Sequence, residues 1–185
     1  MIVYWISSYL IGNFMTAWWV GKRNNIDLRA HRSGNLGARN AGAVIGKKAF
    51  FMTFLGDAIK GALVIVAGFY FNFPLWIIAI AGLLVIAGHL YPFWLKGKGG
   101  KGIATFIGVG LAINPLLFCS FILGFVLFIP FLKSATLSMF FGYVTYIITV
   151  FLTQEGTNMW PILIAIGLIL YRHRFDFRQS LDERK

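Results

Sequence analysis

Apolar residues run almost unbroken from about 2 to 20, 49 to 71, 75 to 95, 103 to 113, 116 to 132, 135 to 152 and 160 to 171, and the polar residues collect between these runs. The first three runs are long enough to cross a hydrocarbon core of ~30 Å as helices. None carries the polar stripe that a soluble amphipathic helix needs. Asn114-Pro115 ends the fourth run, because asparagine favours turns and proline cannot continue a helix. Pro130, with Lys133 and Ser134, closes the fifth. The fourth and seventh runs are short, as expected of helices packed inside a bundle where they line a cavity. The pattern predicts an all-α integral membrane protein: one polytopic domain over residues 1–185 with about seven transmembrane helices, some short. A five-span count stays open, but it needs one span of about thirty residues.

Composition agrees with a bilayer as solvent. Hydrophobic residues make up 58% of the chain and charged residues 12%, and the mean hydropathy is +0.76. That charged share is about half of what a soluble domain carries, too little to cover a water-soluble globule. The opening stretch MIVYWISSYLIGNFMTAWWV has no basic region and no small-residue cleavage site, and reads as a retained span. Cys119, the single cysteine, cannot form an intramolecular disulfide. Three scattered histidines and one thiol build no metal set, so neither a metal nor a cofactor is expected.

The charge, formally +11, is placed with a clear bias. Lys22, Arg23, Arg29, Arg32, Arg39, Lys47 and Lys48 lie between the first two runs, and Lys96, Lys98 and Lys101 follow the third. Lys133 follows the fifth, and Arg172, Arg174, Arg178, Arg184 and Lys185 follow the seventh. The alternate turns, Asn72 to Pro74, Asn114-Pro115 and Thr153 to Met159, hold no cation. The positive-inside rule then puts the N-terminus outside, the C-terminus in the cytoplasm, and every basic loop on the cytoplasmic face. Membrane lipids and phosphorylated metabolites are the partners this implies, not nucleic acid. Topology and anionic lipid account for Lys22, Arg23, Arg184 and Lys185, but not for the glycines among the other cations.

Those glycines fall in two clusters. The first is Ser33-Gly34-Asn35-Leu36-Gly37-Ala38-Arg39-Asn40. Glycines let backbone N–H groups converge on phosphate oxygens, Ser33, Asn35 and Asn40 add neutral donors, and Arg39 can grip a phosphate through two bonds. An ordinary cytoplasmic loop is the competing reading. The second cluster is Lys96-Gly97-Lys98-Gly99-Gly100-Lys101-Gly102, preceded by Gly88-His89. It is no nucleotide P-loop, since Gly102 stands where that motif has serine or threonine. A lysine-glycine loop opening a helix remains, and helix N-termini favour anions. Asp57 and Lys60 share one helix face inside the second run, either as a structural ion pair or as a substrate contact. Tyr171-Arg172-His173-Arg174-Phe175-Asp176 marks the exit of the last run, either as an interface anchor or with His173 and Asp176 orienting a substrate hydroxyl.

Taken together these residues resemble the bacterial membrane glycerol-3-phosphate acyltransferases that use acyl phosphate as donor, the PlsY type. Ser33-Gly34-Asn35 with Gly37-Ala38, Asn40 and Gly46-Lys47-Lys48 is similar to that family's S-G-N-x-G-A-T-N…G-K-K. Asp57, Lys60 and Gly61 match D-x-x-K-G, and Gly88-His89, Pro92 and Lys98 to Gly102 match its most specific signature. Lys133-Ser134-Ala135-Thr136-Leu137 is similar to K-x-V-S-L, and His173-Arg174 to the start of H-R-x-N-I. Three positions depart: Arg39 stands for the family's threonine, Ala43 for its phosphate-gripping arginine, and Asp176 for its asparagine. The arginine-leucine-glycine-glutamate pattern is also missing from the tail.

The resemblance implies transfer of a fatty acyl group from acyl phosphate to the sn-1 hydroxyl of glycerol 3-phosphate, at the cytoplasmic face of a bacterial plasma membrane. It implies catalytic roles for His173, Lys101 and Ser33. Substrate contacts would come from Asn35, Gly37, Arg39, Asn40, Lys98, Gly99, Gly100, Gly102, Thr136, Asp176 and Lys60. It also leaves room for association with the enzyme that makes acyl phosphate. Two other readings stay open: a catalytically silent paralogue, motivated by Ala43 and Asp176, and a transporter of a phosphorylated metabolite. The transporter lacks the internal repeat that alternating access favours.

Overall fold

The computed structural model describes residues 1–182; Arg184 and Lys185, assigned by sequence to the cytoplasmic tail, lie outside the described residues. The described residues form helices and turns without a strand. The helices are α1 (Ile2–Gly12), α2 (Thr16–Arg23), α3 (Ala38–Val44), α4 (Lys47–Tyr70), α5 (Leu75–Leu90), α6 (Ile103–Ile113), α7 (Pro115–Leu132), α8 (Ala135–Leu152) and α9 (Gly156–Asp182). Among the described residues, four segments are long and apolar enough to cross a membrane: Lys47–Tyr70, Leu75–Leu95, Pro115–Leu132 and Ala135–Leu152.

The first apolar run departs from expectation, because it is two helices rather than one span. Asn13 turns its side chain back, Nδ2 donating to Tyr9 O at 2.6 Å, while its Oδ1 accepts the Phe93 N–H at 2.9 Å. The Lys60 ammonium, from α4, then donates to Gly12 O and Phe14 O at 3.1 and 2.6 Å. Helix-end carbonyls need partners, and here a lysine from a distant helix supplies them. The last run departs too: α9 passes Tyr171 without a break and continues to Asp182. Charge ends the apolar run there, but arginine, glutamine and leucine are good helix formers.

Other boundaries agree with the sequence. Asn114 caps α7, its Oδ1 accepting the Leu117 N–H at 3.1 Å, with Pro115 at the first helical position where no N–H is needed. Pro130 sits inside α7, which ends two residues later as Lys133 turns left-handed at φ 44° and Ser134 caps α8.

Helices pair as α1 on α5, α4 on α6, α5 on α9 and α7 on α8. Gly12 and Gly88 meet where α1 crosses α5, and a Cβ on either would collide with the other helix's backbone. Small residues at such crossings let helices in a membrane approach closely. Phe106 of α6 binds α7 and α8 into one core, its ring 5.0 to 5.9 Å from those of Phe118, Phe121, Tyr143 and Tyr146. The opposite faces of α4 and α7, with Leu55, Ile59, Leu63, Leu123 and Leu127, are exposed and apolar, as a lipid-facing surface requires.

Candidate active site

Chain connections from both glycine clusters and the polar half of α9 meet at one end of the bundle. In the first cluster Asp27 starts a short 3-10 turn over Leu28–Ala30, its Oδ1 accepting the Arg29 N–H at 3.0 Å. The Arg29 guanidinium beside it holds the Asp27 carboxyl down at about 2. Asn40 is buried, and its amide donates to Leu28 O at 3.0 Å and His31 O at 3.3 Å. These bonds fold the loop back on itself and seat Leu36, which is 1% exposed. Asn40 therefore braces the wall from behind, where the sequence suggested a donor on its face. Ser33 and Arg39 are exposed at the rim, and Asn35 lies half-buried with its amide against Gly37.

The lysine-glycine loop leaves α5 through Tyr91 and Pro92 and turns left-handed at Lys96 (φ 52°) and Gly97 (φ 72°). Its backbone differs from expectation in one respect that matters chemically. The Gly99 N–H donates to Leu90 O at 3.2 Å and the Gly100 N–H to His89 O at 3.1 Å. Both therefore close the end of α5 in this structure, where the sequence suggested phosphate donors. The donors begin one residue later: no acceptor among the described residues takes the N–H of Lys101, Gly102 or Ile103. Gly102 caps α6 at φ 88°, so these N–H groups stand at a helix N-terminus, where the dipole favours negative charge.

The two loops touch at Gly100. A Cβ built there would stand 2.8 Å from Leu36 O and would overlap the His89 ring. From α9, Arg172 Nη2 donates to Gly99 O at 3.1 Å and reaches Gly100 O at 3.5 Å. One helical turn on, the Lys101 ammonium holds both carboxylate oxygens of Asp176 at 2.5 Å. His173, 4% exposed, directs Nδ1 at Ile169 O, 2.9 Å away, so that nitrogen carries the proton and Nε2 carries the lone pair. Thr136 is buried in the first turn of α8. Phe140, one turn along α8, packs edge-on against Phe177, whose ring lies 6.2 Å from His173.

Most predicted residues are thus brought to one end, with Lys101, Gly102, His173 and Asp176 innermost and Ser33, Arg39 and Lys98 exposed around them. Lys60 is buried, its ammonium enclosed by chain carbonyls, Asp57 and His89. Sequence reasoning missed Arg172, which it treated as a topology cation. Its position beside the His173-Arg174 pair was the available signal.

Two glycine loops, a helix N-terminus and lysine and arginine side chains come together at one end of an all-helical bundle whose described residues include membrane-length helices, the architecture of an integral membrane protein with a cationic site. The glycerol-3-phosphate acyltransferase family model matches residues 2–183. Glycerol-3-phosphate acyltransferase 1 of Bacillus cereus is 49% identical over 136 residues, 72% of this chain and 74% of its own. The glycerol-3-phosphate acyltransferase of Bacillus subtilis is 36% identical over 179 residues, covering 96% of this chain and 92% of its own. The crystal structure of PlsY, an integral membrane glycerol 3-phosphate acyltransferase, in its glycerol 3-phosphate form superposes with a TM-score of 0.89 at 28% identity, over 100% of this chain and 93% of that one. Its lysophosphatidic acid form gives 0.84. The chain belongs to the glycerol-3-phosphate acyltransferase family.

Proposed function

We propose that this protein transfers a fatty acyl group from acyl phosphate to the sn-1 hydroxyl of glycerol 3-phosphate, releasing lysophosphatidate and phosphate. The observation that carries this reading is the meeting of Leu36, Gly100, Arg172 and Lys101 around a helix N-terminus. Acyl phosphate is already activated, so the protein's work is to position two anions and stabilise the departing phosphate. An incoming phosphate exchanges for Asp176 on Lys101 and gains the N–H groups at the start of α6. The exposed Arg39 and Lys98 sit where they can complete its charge balance. In this reading His173 Nε2, with its lone pair, takes the hydroxyl proton as the acyl carbon is attacked, and Ser33 and Thr136 supply hydroxyls to orient the glycerol end. The testing experiment is turnover by purified protein given palmitoyl phosphate and labelled glycerol 3-phosphate; no labelled lysophosphatidate would overturn the reading.

Arg172 makes a second test. Arg172→Met keeps an unbranched stem but frees the carbonyls of Gly99 and Gly100, and is expected to lower kcat/KM about tenfold, ~1.4 kcal/mol. Steady-state kinetics beside a detergent melting curve checks this, with the melting temperature close to wild type.

We further propose seven crossings, made by α1 and α4 to α9, with the N-terminus outside and the C-terminus in the cytoplasm. The cation-free turns at one end of the bundle and the basic loops at the other support it. The site then opens to the cytoplasmic face of a bacterial plasma membrane. A cysteine at Asn158 is expected to react with an impermeant thiol reagent on intact cells, and one at Lys98 is not. The reverse labelling would overturn the orientation. Association with the enzyme that makes acyl phosphate would suit a donor that is short-lived in water.

A further inference from the structure

A buried charge cluster under the lysine-glycine loop has no part in the acyl transfer as proposed. Asp57, Lys60 and His89 are 1, 5 and 2% exposed. Asp57 accepts from Thr16 Oγ1 of α2 at 3.0 Å and pairs with Lys60 at 3.0 Å. The Lys60 ammonium therefore has four acceptors close by: Gly12 O, Phe14 O, Asp57 Oδ1 and, at 2.8 Å, His89 Nδ1. An ammonium has three protons, so at any moment one of the four shares. Asp57 Oδ1 lies 3.6 Å from Nδ1, beyond hydrogen-bond distance, and facing the Lys60 ammonium at 2.8 Å Nδ1 accepts, because two N–H donors cannot face each other there. The proton of the neutral ring is therefore on Nε2.

That nitrogen lies against Gly100, two residues before the residue that caps α6. Of all surrounding heavy atoms, His89 Nε2 would stand nearest to a Cβ at Gly100, and no hydrogen bond among the described residues takes its proton. The same residue's carbonyl already accepts the Gly100 N–H at 3.1 Å. We propose that Lys60 and His89 are positioning residues for the phosphate: Lys60 holds His89 in the tautomer that presents an N–H, rather than a lone pair, beneath Gly100. A lone pair there would repel the anion that the adjoining helix N-terminus attracts; the N–H adds to that attraction. Lys60 thus acts on the substrate through His89, without touching it. This proposal rests on the lysine-glycine loop being the phosphate site.

Histidine labelled with 15N in the full-length, detergent-solubilised protein tests the tautomer directly, the His89 signals being those that vanish in His89→Gln. Between about pH 6 and 8, Nε2 is expected at the protonated shift and Nδ1 at the unprotonated one. An Nδ1–H tautomer, or an imidazolium, overturns the proposal. In kinetics, His89→Leu is expected to lose at least about tenfold in kcat/KM, and His89→Gln, which returns a donor near Nε2, to recover to within about threefold of wild type. Both variants should melt near the wild type, since Lys60 keeps three acceptors for its three protons. Equal loss in both variants would mean that only ring packing matters, and overturns it. Lys101→Ala run alongside separates the two levels. Its loss with His89→Leu at full activity overturns the relay alone, whereas full activity in both overturns the phosphate site and the relay with it.

Discussion

Replacing Lys101 by alanine is expected to cut kcat/KM at least tenfold, and by as much as a hundredfold, with little change in thermal stability. The two halves of that expectation come from different features of the same side chain. Its pair with Asp176 is 27% and 28% exposed, so it is a partly solvated bridge whose loss costs the fold about 1 kcal/mol or less. Its contact with a phosphate is charge-assisted, of a kind worth ~1.5–3 kcal/mol. Asp176→Asn is the companion variant and acts in the opposite direction. It removes the internal anion that competes for the ammonium, so the KM for glycerol 3-phosphate should fall while kcat holds. Kinetics on both variants, with melting curves in detergent, checks this. Wild-type activity in Lys101→Ala would reduce the loop to a topology signal.

The second large effect concerns the first glycine cluster. Arg39 and Ala43 lie four residues apart on α3, hence on one face, and both are exposed. Side chains lean toward the N-terminus of their helix, so an arginine at 43 would reach back toward position 39. No hydrogen bond or ion pair ties the Arg39 guanidinium to the described residues, which leaves it available to a substrate anion. Arg39→Thr is therefore expected to abolish activity, while Arg39→Thr with Ala43→Arg, which recreates the family pattern, restores it. Such reciprocal rescue is a statement that two positions share one function, and a double-mutant cycle in kcat/KM measures it. If wild type is inactive and Ala43→Arg alone switches on turnover, the protein is a decayed acyltransferase and the catalytic reading fails for the natural sequence.

What could be read from the chain was whatever a residue decides by itself or with near neighbours. Asn114-Pro115 marks a boundary because proline lacks an N–H and asparagine caps the helix that begins there. The glycines and lysines of 96–102 announce an anion site because few other tasks need that mixture. What could not be read depends on distant partners. The break after Gly12 exists because Lys60, forty-eight residues on, takes the freed carbonyl. The N–H groups of Gly99 and Gly100 looked available, yet α5 ends with carbonyls that needed them. Arg172 passed for a topology cation, since nothing near it in sequence says that it clasps Gly99 from another helix. Asn40 was legible as polar and important, but not as a brace whose amide holds the carbonyl of Leu28.

α1 and α6, with 11 residues each, are ~16 Å long, about half of a ~30 Å hydrocarbon core. α1 stops beside the Lys60 cluster and α6 starts at the lysine-glycine loop, and Lys60 lies ~20 Å along α4 from its basic end. With the crossings proposed above, the loops at the ends of these helices would lie within the leaflet, so that a water-borne anion would descend to meet the acyl chain. Short helices of this kind also draw the surrounding headgroups inward, and that deformation is easier in a thin bilayer than in a thick one. Turnover in reconstituted vesicles is accordingly expected to fall as the acyl chains of the host lipid lengthen.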